Sequence, residues 1–226
     1  MSAVMGMAGF LFSGVTIGLF LLTGTEITNF SSKYILPWGG PSIPILAAFL
    51  VQKNPTLVSR ISPLIARIFT PLIFVMLLFF LGTISFTKKD PYNDRDFLLL
   101  FNVLLIGVMA VILFSLSEAG KHSQNRFHSI SLLGLAIVTI VANSIALSAI
   151  SFRIAEYGIT PNRLAVLGSN ILFFVNLAWV AWQLFKSLKD SSDLSGVEKG
   201  IASFFPVYGA WAAGVALGFP LLFGLK

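Results

Sequence analysis

The sequence predicts an all-α bundle of membrane-spanning helices, and its composition carries that prediction. Of 226 residues, 56% are hydrophobic and only 11% are charged, whereas soluble domains carry about 25% charged residues. The mean hydropathy is +0.90. A soluble fold of this length has no room to bury so much apolar surface, so lipid is the expected solvent. Backbone groups in lipid must be satisfied within one segment, which favours helices.

Apolar runs of spanning length follow one another along the chain and are separated by short polar loops. They predict a polytopic bundle of six or seven spans in a single transmembrane domain, residues 1–226. The first run has no basic n-region, so we expect a retained helix rather than a removed signal peptide. The predicted helices are 3–22, 63–86, 97–117, 129–150, 164–185 and 201–223, with 35–51 as a seventh if it crosses.

Segment 35–51 is apolar, but prolines and glycines interrupt it. One interpretation is a broken or re-entrant helix, of the kind that transporters use to expose backbone groups to ions. The other is a proline-rich interfacial stretch, anchored by Trp38, that leads into a short or kinked span. The interrupting residues are Pro37, Gly39, Gly40, Pro41 and Pro44.

Composition excludes several kinds of site. The chain has no cysteine, which excludes disulfides, thiolate metal sites and a cysteine nucleophile. His122 and His128 lack the spacing of a helical metal pair, and no phosphate-binding or hydrolase motif occurs. We therefore expect no catalytic residue, no metal and no cofactor. Enzymatic activity stays undecided at this stage, with a non-enzyme favoured.

The polar passage at residues 153–163 lies between two apolar runs and is the most informative part of the chain. Gly158 can adopt the left-handed conformation that ends a helix. Thr160 before a proline suits an N-cap, and Pro161 suits the first position of the next helix. The sequence therefore predicts a tight helix–turn–helix at the membrane surface.

Four side chains of this turn are not required to end or begin a helix: Arg153, Glu156, Tyr157 and Arg163. Arg153 and Glu156 share a face if the preceding helix continues through them. Tyr157 suits the depth of the membrane interface. The four are either anchors of a well-capped turn or a contact site for an anionic head group, partner or substrate.

The same turn resembles the signature of a known family. The stretch Tyr-Gly-Ile-Thr-Pro-Asn-Arg at residues 157–163 is similar to the Tyr-Gly-aliphatic-Thr-x-x-Arg turn of polytopic bacterial inner-membrane proteins of unknown function. The basic stretch at residues 67–73 and the turn at Asp90-Pro91 resemble the same family, so the similarity extends over roughly residues 62–190. The resemblance implies a multi-pass protein of the bacterial cytoplasmic membrane. It brings no activity, cofactor or catalytic residue with it.

Glycines four residues apart occur in the first and last predicted helices, as Gly14 with Gly18 and Gly214 with Gly218. Such pairs let helix backbones approach closely. They predict helix packing inside the bundle, and a homo-oligomer formed through these faces is the alternative.

Amide side chains are the deepest polar groups of the predicted spans, and hydrogen bonds across helices are expected of them. They are Asn102, Asn143, Asn170 and Asn176. No Asp or Glu falls in the middle of a span, which counts against proton-coupled transport.

The leading functional hypothesis is a non-enzymatic membrane module that binds a partner protein or a lipid in the bacterial envelope. Residues 153–163 would be its contact surface. The net charge of +6 comes from basic residues scattered through short loops, which favours membrane lipids over nucleic acid as partners. The alternative function is a small-molecule or lipid transporter that uses the broken segment 35–51.

Overall fold

The computed structural model describes residues 13–14, 16–18, 20, 28–53, 61–86, 92, 95–119, 126–190 and 195–224. Within these residues the regular elements are helical and no strand occurs, so the predicted all-α fold is confirmed. The chain divides into two compact units, Met1–Lys89 and Asp90–Lys226. The prediction of one transmembrane domain stays a prediction.

The first unit begins, in its described part, with a helical turn at Thr28–Phe30 and a π-helical turn at Ser31–Ile35. Helix α1 follows at Leu36–Lys53, and α2 at Ile61–Phe86. The predicted helix at residues 3–22 lies mostly outside the described residues.

Helix α1 favours the second of the two interpretations of segment 35–51, a short or kinked span, over a broken helix. The helix continues through Pro41 and Pro44. Prolines are tolerated in membrane helices because neighbouring side chains and helices form hydrogen bonds to the backbone groups that proline leaves without a partner. The hydroxyl of Ser42 donates to the carbonyl oxygen of Trp38 and adds one such bond in the first turns.

The second unit is a bundle in which α4 and α5 form the most extensive helix pair. Helix α3 contacts α4, α5 and α6, and α5 also packs on α6. Small buried residues on α4, including Ala142, Ala146 and Ala149, permit close approach of its neighbours. The elements are α3 at Arg95–Ala119, α4 at Arg126–Tyr157, α5 at Pro161–Asp190, α6 at Ser195–Ala213, a π-helical turn at Gly214–Gly218 and α7 at Phe219–Phe223.

Four helices of the described chain are long and apolar enough to cross a membrane. Large apolar side chains such as Phe79, Ile137 and Trp182 stay exposed on them, which is the surface that lipid covers in a membrane protein. The total of six or seven spans stays a prediction. The four helical stretches are Phe69–Phe86, Arg126–Tyr157, Pro161–Lys189 and Ser203–Phe223.

Candidate functional site: a pocket at the α4–α5 turn

The backbone of the α4–α5 turn is held by its own residues. Gly158 has a φ of 79°, and its amide donates to the carbonyl oxygen of Ile154 at 3.0 Å. The hydroxyl oxygen of Thr160 accepts from the amide of Arg163 at 3.3 Å. Gly158 therefore ends α4, while Thr160 caps α5 and Pro161 occupies its first position.

Arg163 ties the two helices together. Its Nη1 donates to the carbonyl oxygens of Tyr157 at 2.9 Å and Gly158 at 2.7 Å. Its Cζ also lies 5.6 Å from the centre of the Tyr157 ring, within the range of a cation–π contact. The cation satisfies carbonyls at the negative end of the α4 dipole, which is a stabilising arrangement. Arg163 and Tyr157 thus have a structural role in this turn.

Arg153 is placed differently, although it lies on the last turns of the same helix. The side chain is half-buried, and its Nη1 is buried without a hydrogen-bond partner. Glu156 is exposed, and no ion pair joins it to Arg153 within the described chain. The shared face that their spacing predicts does not produce a salt bridge here.

A partly enclosed pocket of about 310 Å³ lies beside this guanidinium. Three helix ends form it: the start of α3, the end of α4 and the start of α5. No acidic side chain of the described residues lines it. The lining residues are Leu98, Leu99, Asn102, Ile150, Arg153, Thr160, Asn162, Arg163 and Val166. The pocket is therefore lined by two cationic side chains together with polar and aliphatic ones.

A chain of amides extends from the pocket wall into the bundle. Asn102 donates to the carbonyl oxygen of Leu98 at 2.8 Å and accepts from Nδ2 of Asn170 at 2.8 Å. The backbone oxygen of Asn170 in turn accepts from Nδ2 of Asn143 at 2.8 Å. These bonds join α3, α4 and α5. The prediction that the deep amides bond across helices is confirmed for this group.

The α5–α6 contact contains a second set of polar bonds. Nδ2 of Asn176 donates to the hydroxyl of Tyr208 at 2.7 Å, and Nε1 of Trp211 donates to the hydroxyl of Ser169 at 3.1 Å. A Cβ on Gly168 would overlap the six-membered ring of Trp211. The backbone of α5 at Gly168 therefore lies directly against the Trp211 ring of α6.

The four glycines predicted to pack helices occupy different surroundings. A Cβ on Gly14, Gly18, Gly214 or Gly218 would meet no atom within 4 Å. Close helix packing at these positions is therefore absent from the described chain. Gly214 and Gly218 also begin and end a π-helical turn, which sequence spacing alone does not reveal.

Sequence reasoning did not place the α3 residues of the pocket, Leu98, Leu99 and Asn102, beside the predicted contact surface. The spacing of four between Leu98 and Asn102 puts them on one helix face, and that signal was readable. Their position near Arg153 could not be predicted from the sequence, because it depends on how α3 packs against the α4–α5 pair.

These features define a helical protein of the membrane type, with an arginine-lined pocket at one end of a helix bundle. The chain belongs to the family described as Domain of unknown function (DUF4153), and the match covers residues 3–195. No curated protein and no solved structure matches the chain. Membership agrees with the expected family of unknown function and assigns no activity, while the Tyr-Gly-aliphatic-Thr-x-x-Arg signature at residues 157–163 stays a prediction.

Proposed function

We propose that the protein is a multi-pass, non-catalytic module of the bacterial inner membrane that binds an anionic group in the pocket at the α4–α5 turn. The group would belong to a lipid or to a partner in the envelope. Two observations carry the proposal: Arg153 lines that pocket, and its Nη1 is buried without a hydrogen-bond partner.

A buried donor without a hydrogen-bond partner raises the free energy of the folded protein. A ligand that supplies the partner removes this penalty, which contributes to its binding free energy. Leaving a buried polar group unsatisfied costs about 1–3 kcal/mol, and more for a charged group. A phosphate or carboxylate oxygen beside Arg153 removes that cost and gains a charge-assisted hydrogen bond. Unsatisfied buried groups are uncommon in folded proteins, and a bound ion or ligand is one of the explanations for them.

The charges around the pocket also favour an anion. Arg153 and Arg163 both line it, while Glu156 does not. Both side-chain hydrogen bonds of Arg163 use Nη1, so its Nη2 and Nε donate to no other group among the described residues. The N-terminus of α5 adds positive potential at the same place.

The lining residues favour binding over catalysis. The charged side chains that line the pocket are two guanidinium groups, which act as hydrogen-bond donors only. General acid–base catalysis needs a group that exchanges its proton near the working pH. Asn102, Thr160 and Asn162 supply hydrogen bonds but no such group, so the pocket fits recognition of an anion.

Transport through segment 35–51 loses its main argument. That alternative required freed backbone groups in a broken helix, and α1 is helical through both internal prolines. The binding proposal has a specific unpaired group to satisfy, and the transport hypothesis has none in this segment.

The test is anion-dependent stabilisation of the full chain purified in detergent. Glycerol 3-phosphate is the probe, and glycerol at equal concentration is the uncharged control. A ligand at ten times its Kd stabilises the folded state by about 1.4 kcal/mol, which a thermal unfolding curve resolves. Arg153→Ala should abolish the shift.

Arg126→Ala is the matched control, because Arg126 is an exposed arginine at the other end of α4. It should keep the shift. Equal stabilisation by glycerol and glycerol 3-phosphate, or equal loss in both variants, would contradict the proposal.

A further inference from the structure

We infer that the ligand of this pocket is an anionic phospholipid, with its phosphate at Arg153 and one acyl chain along an exposed stripe of α3. The inference rests on the proposed function and goes beyond it by naming the class of ligand. It follows from the two kinds of side chain that line the pocket and from the exposed stripe that continues from it along α3.

Two kinds of side chain line the pocket, and each of its three helices contributes both. The polar ones offer cations and hydrogen-bond donors, and the others are aliphatic. A free inorganic phosphate would use the first kind and leave the second bare. A phospholipid uses both, since its glycerol backbone and first methylene groups follow the phosphate. The aliphatic lining residues are Leu98, Leu99, Ile150 and Val166.

The aliphatic side chains of α3 continue out of the pocket along the helix. Leu99, Val103 and Ile106 are 45%, 58% and 55% exposed. Spacings of four and three place them on one helix face, and seven residues of helix cover about 10 Å along the axis. The stripe therefore starts at the pocket and extends along the helix for the first part of an acyl chain.

Small residues continue this stripe. Gly107 and Ala110 are exposed, and a Cβ on Gly107 would meet no atom within 4 Å. Beyond Ile106 this face therefore carries little side-chain volume, so nothing on it obstructs a flexible chain. The stripe alone would fit any lipid, so the arginines of the pocket supply the selectivity for an anionic one.

The position along the helices agrees with a lipid. The pocket is formed by helix ends, which lie at the level of the head groups in a spanning bundle. Tyr157, exposed at the end of α4, is the residue type enriched at this depth. A lipid head group at the pocket then has its chains directed along the helices. An acidic peptide would satisfy Arg153 and leave the stripe on α3 uncovered.

The experiment compares lipid binding to the full chain after detergent exchange, by native mass spectrometry with phosphatidylglycerol and phosphatidylcholine. Loss of one charge-assisted hydrogen bond weakens binding about tenfold or more, so Arg153→Ala should lower the affinity for phosphatidylglycerol by that factor. It should leave the weaker binding of phosphatidylcholine unchanged. Arg126→Ala should change neither affinity.

A second pair of variants tests the acyl chain. Val103→Asn places an amide in the stripe and should weaken phosphatidylglycerol binding about tenfold, the lower end of the effect of losing one buried aliphatic side chain's contacts. Its binding of glycerol 3-phosphate should not change. Val141→Asn is the control, because Val141 is 50% exposed and lies nine residues before Ile150, on the opposite face of α4.

The outcomes separate the two proposals. If glycerol 3-phosphate binds in an Arg153-dependent manner but phosphatidylglycerol binds no tighter, and Val103→Asn has no effect, the lipid inference is overturned and anion binding stands. If neither probe depends on Arg153, both are overturned. If the purified chain retains a protein at equal stoichiometry in place of lipid, and Arg153→Ala releases it, the ligand is an acidic protein and the lipid inference is wrong.

Discussion

The indole ring of Trp211 lies against the backbone of Gly168, in the space that a side chain would occupy. The ring is held there from two further directions. Its Nε1 donates to the hydroxyl of Ser169 at 3.1 Å, and the Phe219 ring packs against it edge-on with centroids 6.1 Å apart. Helices α5 and α6 are therefore joined through one tryptophan whose position is fixed by a glycine.

Gly168→Ala should destabilise the protein by about 1–3 kcal/mol, the usual effect of adding a methyl group to a filled contact. The new methyl group overlaps the six-membered ring of Trp211, so α5 and α6 must separate or the ring must turn. Thermal unfolding in detergent, followed by tryptophan fluorescence, measures the loss.

Gly209→Ala is the matched control, since a Cβ on Gly209 would meet no atom within 4 Å. Alanine is the better helix former, so this variant should be neutral or slightly stabilising. In the Trp211→Ala background, Gly168→Ala should cost almost nothing, because the clash has been removed. Equal losses from Gly168→Ala in both backgrounds would contradict the packing described here.

Gly158→Ala should destabilise the α4–α5 turn for a different reason. Open space surrounds the position, but its φ of 79° lies in the left-handed region. An L-residue other than asparagine pays about 1–2 kcal/mol there, so Gly158→Ala should be worse than Gly158→Asn. Hydrogen exchange should quicken at the amides of Gly158 and Leu164, which bond within the turn. Unchanged exchange in Gly158→Ala would show that the turn is not strained by a side chain.

Local signals made the helices of the second unit predictable. Thr160-Pro161 and Gly158 act through their own backbone bonds, so they mark a helix boundary in any context. Long apolar runs marked the helices themselves. Segment 35–51 stayed open between two interpretations because proline positions alone do not show the apolar surroundings that let α1 continue through Pro41 and Pro44.

The different roles of the two arginines could not be predicted from the sequence. Arg153 and Arg163 flank the same turn with the same side chain. Arg163 is within reach of two carbonyl oxygens of α4, while Arg153 lies where α3 leaves a pocket. Which carbonyls and helices surround a guanidinium depends on packing between segments distant in sequence. For the same reason Gly168, in no motif, makes the close contact that Gly14 and Gly18 do not.

Arg153→Met and Arg163→Met should therefore change stability in opposite directions. Arg153→Met removes a buried donor that has no partner, so the lipid-free protein should become more stable, by about 1 kcal/mol, while losing anion binding. Arg163→Met removes two hydrogen bonds to α4 carbonyls and should destabilise the fold. Unfolding curves in delipidated detergent samples measure both. A loss of stability in Arg153→Met comparable to that in Arg163→Met would mean that Arg153 is structural.

The amide chain from Asn102 to Asn143 should respond unevenly to substitution by leucine, a side chain of similar size. Asn170→Leu leaves Oδ1 of Asn102 without its donor, whereas Asn143→Leu removes a side chain whose Oδ1 is already unpaired. Interhelical hydrogen bonds in membrane proteins are worth about 0.6 kcal/mol on average, and an orphaned buried acceptor costs about 1–3 kcal/mol. Asn170→Leu should thus be the more destabilising variant in thermal unfolding.

Because Asn102 lines the pocket, Asn170→Leu should also weaken glycerol 3-phosphate binding, while Asn143→Leu should not. Equal effects of the two variants on both measurements would mean that the amides do not link the pocket wall to the bundle.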